Sequence, residues 1–296
     1  MADLEQGVRL TPQSVHRLAS LSKPVTGTII MELVQNGRLP LDAHVMEYLP
    51  ELPRTYQGVT VRHLLTHQAG VRGYRDMEEV FSATHYPTAR AALKAFAGDP
   101  LLFAPGTRTE YSTYGFTLLG AIAEAVTGRP FQELSADFFR RHGIGGFALD
   151  DPLMLVPHRV RGYRVDEAGE VWNARAYDPS NKYPAGGFAA STDDYLRFVI
   201  AVGSGLVLDR GTLREMWMAQ KLDDGRPTPF GLGWGVGMRG VNRMVGFNGL
   251  QPGSTTFMRY YTDSGAGVVL ACNAEGGRDL DKLLDDILDI LVAGKK

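Results

Sequence analysis

The sequence predicts an α+β fold: an antiparallel sheet flanked by helices, with a mainly helical domain inserted into it. Three observations carry this expectation. Apolar positions recur at helical spacing from Val25 onward, and the pattern from residue 39 to about 227 stays mainly helical. After residue 228 it changes to short β-branched and aromatic runs separated by Gly, Asp-Ser or Gln-Pro turns. One helix at the start and strands at the end imply a sheet domain built from both chain ends, residues 1–38 together with 228–296. Residues 39–227 then form the mainly helical domain.

Each element has its own signal. In "RLASLSKPVTGTIIMELVQNG", Val25, Ile29, Leu33 and Val34 share a helical face, and Gly37 marks the stop. Pro24 fits only in a first helical turn, which places the start close to Ser20. "TVRHLLTHQAG" is a short amphipathic turn and "YPTARAALKAF" a helix. "YGFTLLGAIAEAVTG" is a clearer one, with a stripe of Phe116, Leu119, Ala123 and Val126 and Gly128 just past its end. Ser191 stands three residues before Asp194, a capping-box arrangement opening "STDDYLRFVIAVG". "FGLGWGVGM", "RMVGFNG", "STTFMRYYT" and "AGVVLACN" read as antiparallel strands, and "DLDKLLDDILDILV" returns to helical periodicity with a Leu/Ile face for that sheet.

Composition narrows the function classes. The 296 residues are 44% hydrophobic and 22% charged, with a net charge of −2, so nothing steers the chain to nucleic acid or an anionic membrane. The single cysteine, Cys272, excludes an internal disulfide framework and sits in an apolar run read as core. The N-terminus, "MADLEQGVRLTPQS", lacks a basic region followed by an apolar one, and no run approaches a membrane span, so the cytoplasm is the expected address.

Chemistry concentrates in a few places. Ser20 and Lys23 are three apart and share a helix face, whereas Ser22 diverges from Lys23 by roughly 100°. Ser20 is therefore a nucleophile with a base one turn on, or else an ordinary capping serine. Tyr111, in "EYSTYGF" after the Pro105-Gly106 turn, stands at a loop-to-helix junction where a phenol beside an ammonium can relay protons. The glycines around Asn248 in "VGFNGLQPG" allow close backbone approach of a substrate, or mark a hairpin turn. His63 and His67 have a metal-compatible spacing, but no HExxH glutamate or third ligand cluster accompanies them, so no metal and no cofactor is expected. "PAGGFAAS" lacks the lysine of a phosphate loop and reads as a backbone turn lining a pocket.

In the order in which they stand, "RLASLSKPVTGT", "HLLTHQAGV", "FAPGTRTEYSTYGFTLLGAIAEAVTG", "PAGGFAASTDDYLRF", "FGLGWGV" and "VGFNGLQPG…VVLACN" closely resemble the β-lactamase-related serine hydrolases. That group includes class C β-lactamases, penicillin-binding DD-peptidases and β-lactamase-like carboxylesterases. The resemblance runs over nearly the whole chain and implies a β-lactamase/transpeptidase-like fold. It implies Ser20 as nucleophile, Lys23 and Tyr111 as its base system, and the backbone N–H groups of Ser20 and Leu250 as the oxyanion hole. Thr113 falls where the family's Tyr-x-Asn motif has Asn, and Phe247, Asn248 and Gly249 fall on its third, substrate-binding element. Which of Lys23 and Tyr111 is the base stays open.

Two departures shape the expected substrate. Thr113 loses an amide grip, and Phe247 replaces a cation that would hold a substrate carboxylate. Both favour a small uncharged ester over a β-lactam or a D-amino-acid-type peptide, the alternative within the family. A non-catalytic binding protein on the same fold is the second alternative. Only 19 residues precede Ser20, where the family normally carries further strands, so an exposed sheet edge open to self-association is expected.

Overall fold

The computed structural model describes residues 1–275 and 280–293. Its helices in chain order are α1 (Ser22–Gln35), α2 (Val61–Leu65), α3 (Met77–Val80), α4 (Ala89–Ala92), α5 (Thr113–Thr127), α6 (Phe131–Arg141), α7 (Tyr183–Gly186), α8 (Thr192–Gly203), α9 (Arg210–Met216) and α10 (Leu280–Ala293). The strands are β1 (His16–Arg17), β2 (Ala148–Leu149), β3 (Tyr163–Val165), β4 (Val171–Asn173), β5 (Phe188–Ala190), β6 (Gly235–Arg239), β7 (Asn242–Gln251), β8 (Ser254–Tyr261), β9 (Ala266–Cys272) and β10 (Ala274–Glu275).

The late strands form one antiparallel sheet in the order β6-β7-β8-β9. Register is set by two-residue alternation: Phe247 faces Met258 and Leu250 faces Thr255 across β7 and β8. The stretch "RMVGFNGLQ" is thus one long strand, and the turn falls at Pro252-Gly253, where Gly253 takes φ +73°. Leu284 and Leu288 of α10 cover one part of this sheet, packing on Phe257, Tyr261 and Val268. No helix among the described residues is long and apolar enough to cross a membrane.

Helix α1 runs through the middle of the molecule. Every residue from Ser22 to Leu33 is buried, so it presents no solvent face, unlike the one-sided stripe its spacing suggests. It packs on α5, α7 and α9, which is why polar Thr26 and Thr28 must spend their hydroxyls on the Pro184 and Pro24 carbonyls. Helix α5 is similarly buried, capped by Ser112 at its start and ended by left-handed Gly128. Near its C-terminal end the Glu124 carboxylate accepts the N–H groups of Ala89 (2.9 Å), Arg90 (2.9 Å) and Phe131 (2.8 Å). One side chain thereby satisfies the free N-terminal donors of both α4 and α6.

The mainly helical middle of the chain also contributes to the sheets in two ways. Residues 148–190 contribute two- and three-residue strands: β5 pairs with both β1 and β2, and β3 pairs with β4 and β10. Helix α8 packs against β9, so the layer over the sheet takes in part of the 39–227 stretch. We therefore propose the two-part division with α8 and these short strands on the sheet side. Cys272 ends β9 and is half-buried, short of the core position expected for it.

Candidate active site

Ser20 lies in a tight 3-10 turn, Ala19–Leu21, that runs directly into α1. The helix proper starts two residues later than Ser20, with Pro24 inside its first turn as expected. The turn is clamped on every side. Thr256 Oγ1 donates to the Leu18 carbonyl (2.8 Å), and the Tyr195 hydroxyl to the Leu21 carbonyl (2.8 Å). The Phe188 N–H donates to Ser22 Oγ (3.0 Å), so the second serine is a buried strut. Ala19 carries φ +50°, a left-handed conformation that throws the Ser20 side chain toward the cleft.

The three expected side chains meet there. Ser20 Oγ is 2.6 Å from the Tyr111 hydroxyl and 3.2 Å from Lys23 Nζ. Lys23 is fully buried and also donates to the Ala185 carbonyl (2.9 Å). Burial, and then the charge of Lys182, hold its amine well below the ordinary lysine range. Its Nζ sits 4.7 Å from the Tyr111 ring centroid and 5.7 Å from that of Phe116. Tyr111 is 43% exposed, its ring facing the cleft, while lost hydration at the hydroxyl pushes the phenol up to about 12. An open cleft weakens that upward push without reversing it, so burial favours the uncharged form of both the amine and the phenol.

His67 is the residue that sequence reasoning considered only as a metal ligand. Its ring packs on those of Tyr111 (4.7 Å between centroids), Phe230 (4.6 Å) and Phe116 (5.2 Å). Nδ1 accepts the Ser112 N–H (3.1 Å), and the His67 carbonyl accepts the Glu110 N–H (2.9 Å). Burial and the Lys23 charge hold the imidazole well below its usual range. His67 thus fixes the Tyr111 segment from both sides. No cluster of metal-ligating side chains occurs among the described residues, and His63 instead accepts the Thr60 N–H.

Two clefts flank Tyr111. The first, about 440 Å³, is lined by Ser20, Lys23, Thr113, Leu250 and Lys182, with Ala185 and Gly186 of the "PAGG" turn in its wall. The second, about 380 Å³, is lined by Phe230, Phe247, Asn248, Met244 and Arg259. Gly249 is not among the residues lining these two clefts. A methyl group there would collide with Thr256 Oγ1, the Leu18 carbonyl and Ala19 Cβ. Its missing side chain lets β7 lie against the Ser20 turn.

The profile of the Beta-lactamase family matches residues 1–292. The chain belongs to the beta-lactamase family. Among relatives of this family member, esterase EstB of Burkholderia gladioli is 31% identical over 80% of this chain and 69% of its own length. Penicillin-binding protein 4* of Bacillus subtilis is 25% identical over 96% of this chain and 66% of its own. The mitochondrial serine beta-lactamase-like protein LACTB of Bos taurus is 26% identical over 67% of this chain. That match covers 49% of LACTB, so the chain spans about half the length of these mitochondrial relatives. In structure, the D-amino acid amidase of Ochrobactrum anthropi superposes with a TM-score of 0.86 at 24% identity, covering 100% of this chain and 89% of the amidase. The penicillin-binding and transpeptidase-like fold is therefore that of this beta-lactamase-family chain.

Proposed function

We propose that the chain is a serine hydrolase that cleaves small esters through an acyl-enzyme on Ser20. The observation that carries the reading is the 2.6 Å and 3.2 Å contacts of Ser20 Oγ with Tyr111 and Lys23. A serine hydroxyl needs a neighbouring base, and the amine, whose uncharged form burial favours, can take its proton as Oγ attacks the carbonyl carbon. The C–O bond to the alcohol then breaks, Tyr111 protonates the departing alkoxide, and the Lys23 ammonium returns the proton to Tyr111. Water reverses the sequence and frees the acid. We assign the oxyanion hole to the N–H groups of Ser20 and Leu250, residues that line the same cleft.

Substrate orientation follows from Tyr111, the wall shared by both clefts. A group protonated by its hydroxyl on departure is seated on the Phe247 side, where Phe230, Met244 and Phe247 offer apolar walls to an uncharged alcohol. The acyl part occupies the Ser20 side. We expect p-nitrophenyl esters of short acids to be turned over with higher kcat/KM than a chromogenic cephalosporin on one preparation. A second reading, β-lactam or D-amino-acid-type peptide hydrolysis, has one observation in its favour: Arg259 also lines the Phe247 cleft. Its Nη1, however, donates to the Phe247 and Met258 carbonyls. Efficient cephalosporin hydrolysis with negligible esterase activity would establish that second reading.

The protonation states give a pH profile. Activity should rise as Lys23 loses its proton, along a limb well below the ordinary lysine range, because burial and the Lys182 charge disfavour the ammonium. It should decline only where Tyr111 ionises, toward about 12. Neutral His67 adds no charge at Lys23, so it creates no third limb. A kcat/KM profile whose rising limb lay at the free-lysine value would remove Lys23 as the base.

We also propose that the chain associates with itself. Strand β9 pairs with β8 alone among the described residues, which leaves its outer edge without a strand. The penicillin-binding protein homologue of Pyrococcus abyssi, matching at a TM-score of 0.83, is octameric. Sedimentation should show concentration-dependent assembly, and a monomer at all concentrations would refute it. We place the protein in the cytoplasm, on the grounds of its single cysteine.

A further inference from the structure

Lys182 ends a 3-10 turn, Pro179–Lys182, immediately ahead of α7, and it lines the Ser20 cleft. Lysine is rarely this buried without a partner. Lys182 is 2% exposed, yet it makes no hydrogen bond or ion pair among the described residues. Its Nζ instead lies 4.8 Å from the Tyr177 ring centroid and 5.1 Å from that of Tyr74. Ring faces hold a cation in place without supplying an acceptor for its N–H groups. Glu275, the carboxylate of the same cleft, forms no ion pair with it. The ammonium is therefore packed and positioned without a contacting acceptor, and the Asp150 carboxylate that acts on it from a distance is itself paired with Arg17.

A second group in the same wall has the same deficiency. Gln251, at the end of β7, is 7% exposed, and its Nε2 has no hydrogen-bond partner among the described residues. It too lines the Ser20 cleft. A buried donor left unpaired is costly, and natural structures keep such groups where something else completes them. Two donors, one charged and one neutral, match the two oxygens of a carboxylate. The cleft that holds both is the one we assign to the acyl part of the substrate, away from the apolar Phe247 side.

We propose that Lys182 and Gln251 form an anion subsite that receives a carboxylate carried by the acyl group, so that the preferred substrates are half-esters of short dicarboxylic acids. This deepens the ester-hydrolase reading and rests on it for the placement of the acyl part. The alcohol stays uncharged; the charge lies at the far end of the acid. Ser20 Oγ bonds to the ester carbonyl carbon, the alcohol leaves with a proton, and water then releases the dicarboxylate.

Binding and turnover test it separately. The probes for binding are 5-oxohexanoate and its neutral amide, two ketones that lack a scissile bond, titrated by calorimetry. The acid should bind the wild type about tenfold or more tightly than the amide. Lys182→Met should erase that preference and Lys182→Arg should restore part of it. Equal binding of acid and amide to the wild type overturns the subsite without recourse to any variant, as does a preference that survives Lys182→Met. For turnover, the kcat/KM ratio of p-nitrophenyl hemiglutarate over p-nitrophenyl valerate should favour the hemiglutarate and fall about tenfold or more in Lys182→Met. Acid-selective binding with neither ester hydrolysed would keep the subsite and remove the esterase reading. Valerate hydrolysis without acid-selective binding would do the opposite.

Discussion

Ser20→Ala is expected to lose all covalent labelling by a fluorophosphonate probe and about 10⁴-fold or more of ester turnover. Lys23→Met should fall comparably, because base and nucleophile act as a unit and removing either leaves the other idle. Methionine fills the fully buried Lys23 site, so the loss reports chemistry rather than collapse. Ser22→Ala separates the two serines. It should label at the wild-type stoichiometry of one probe per chain, since Ser22 Oγ is occupied by the Phe188 N–H. Its cost appears in stability instead, about 1–3 kcal/mol for the orphaned N–H. Mass spectrometry of the labelled protein reads all four proteins, and equal labelling of wild type and Ser20→Ala would move the nucleophile elsewhere.

The largest effect on stability is expected at Glu124. Its carboxylate, 8% exposed, accepts three backbone N–H groups that open two different helices. Glu124→Ala strands all three donors and leaves a void between α4, α5 and α6. With each stranded donor costing about 1–3 kcal/mol and partial relaxation of the helix ends, we expect a loss of about 3–5 kcal/mol. At roughly 2–4 °C per kcal/mol for a chain of this size, Tm should drop by roughly 10 °C. Glu124→Gln keeps an acceptor but brings an amide donor toward other donors, and should lose about half as much. Calorimetry checks both. A change within about 1 kcal/mol for the alanine variant would show that the helix ends find other partners.

The site was legible in sequence to the extent that local spacing encodes it. Ser20 and Lys23 are one turn apart, and that spacing sufficed to favour Ser20 over Ser22 as the partner of Lys23. Tyr111 was singled out at its loop-to-helix junction, but its pairing with Ser20 came only through the ordered resemblance, since nothing local ties a loop tyrosine to a serine ninety-one residues earlier. The strands after residue 228 and the helix Thr113–Thr127 carry strong periodicity and were readable. Strands of two or three residues, such as Ala148–Leu149 and Phe188–Ala190, have too few positions to show alternation, and only tertiary pairing makes them strands. Lys182 was invisible for another reason. Its significance is the absence of a partner, which no one-dimensional pattern records. Gly249 shows that substrate approach and chain approach leave the same sign in a sequence, a glycine on a strand.

Ala19 carries a consequence for how the chain changes over evolutionary time. An L-residue held at φ +50° costs about 1–2 kcal/mol against its relaxed conformation. Glycine would relieve that cost, but it loses about 0.5–1 kcal/mol to the greater freedom of its unfolded state. It also gives up the methyl that packs toward Gly249. These contributions nearly cancel, so folding is close to indifferent between the two residues. Turnover is expected to distinguish them, because only a residue with a side chain packs the turn against β7 beside Ser20. Selection acting through turnover, rather than through thermal robustness, is what would keep alanine at this position.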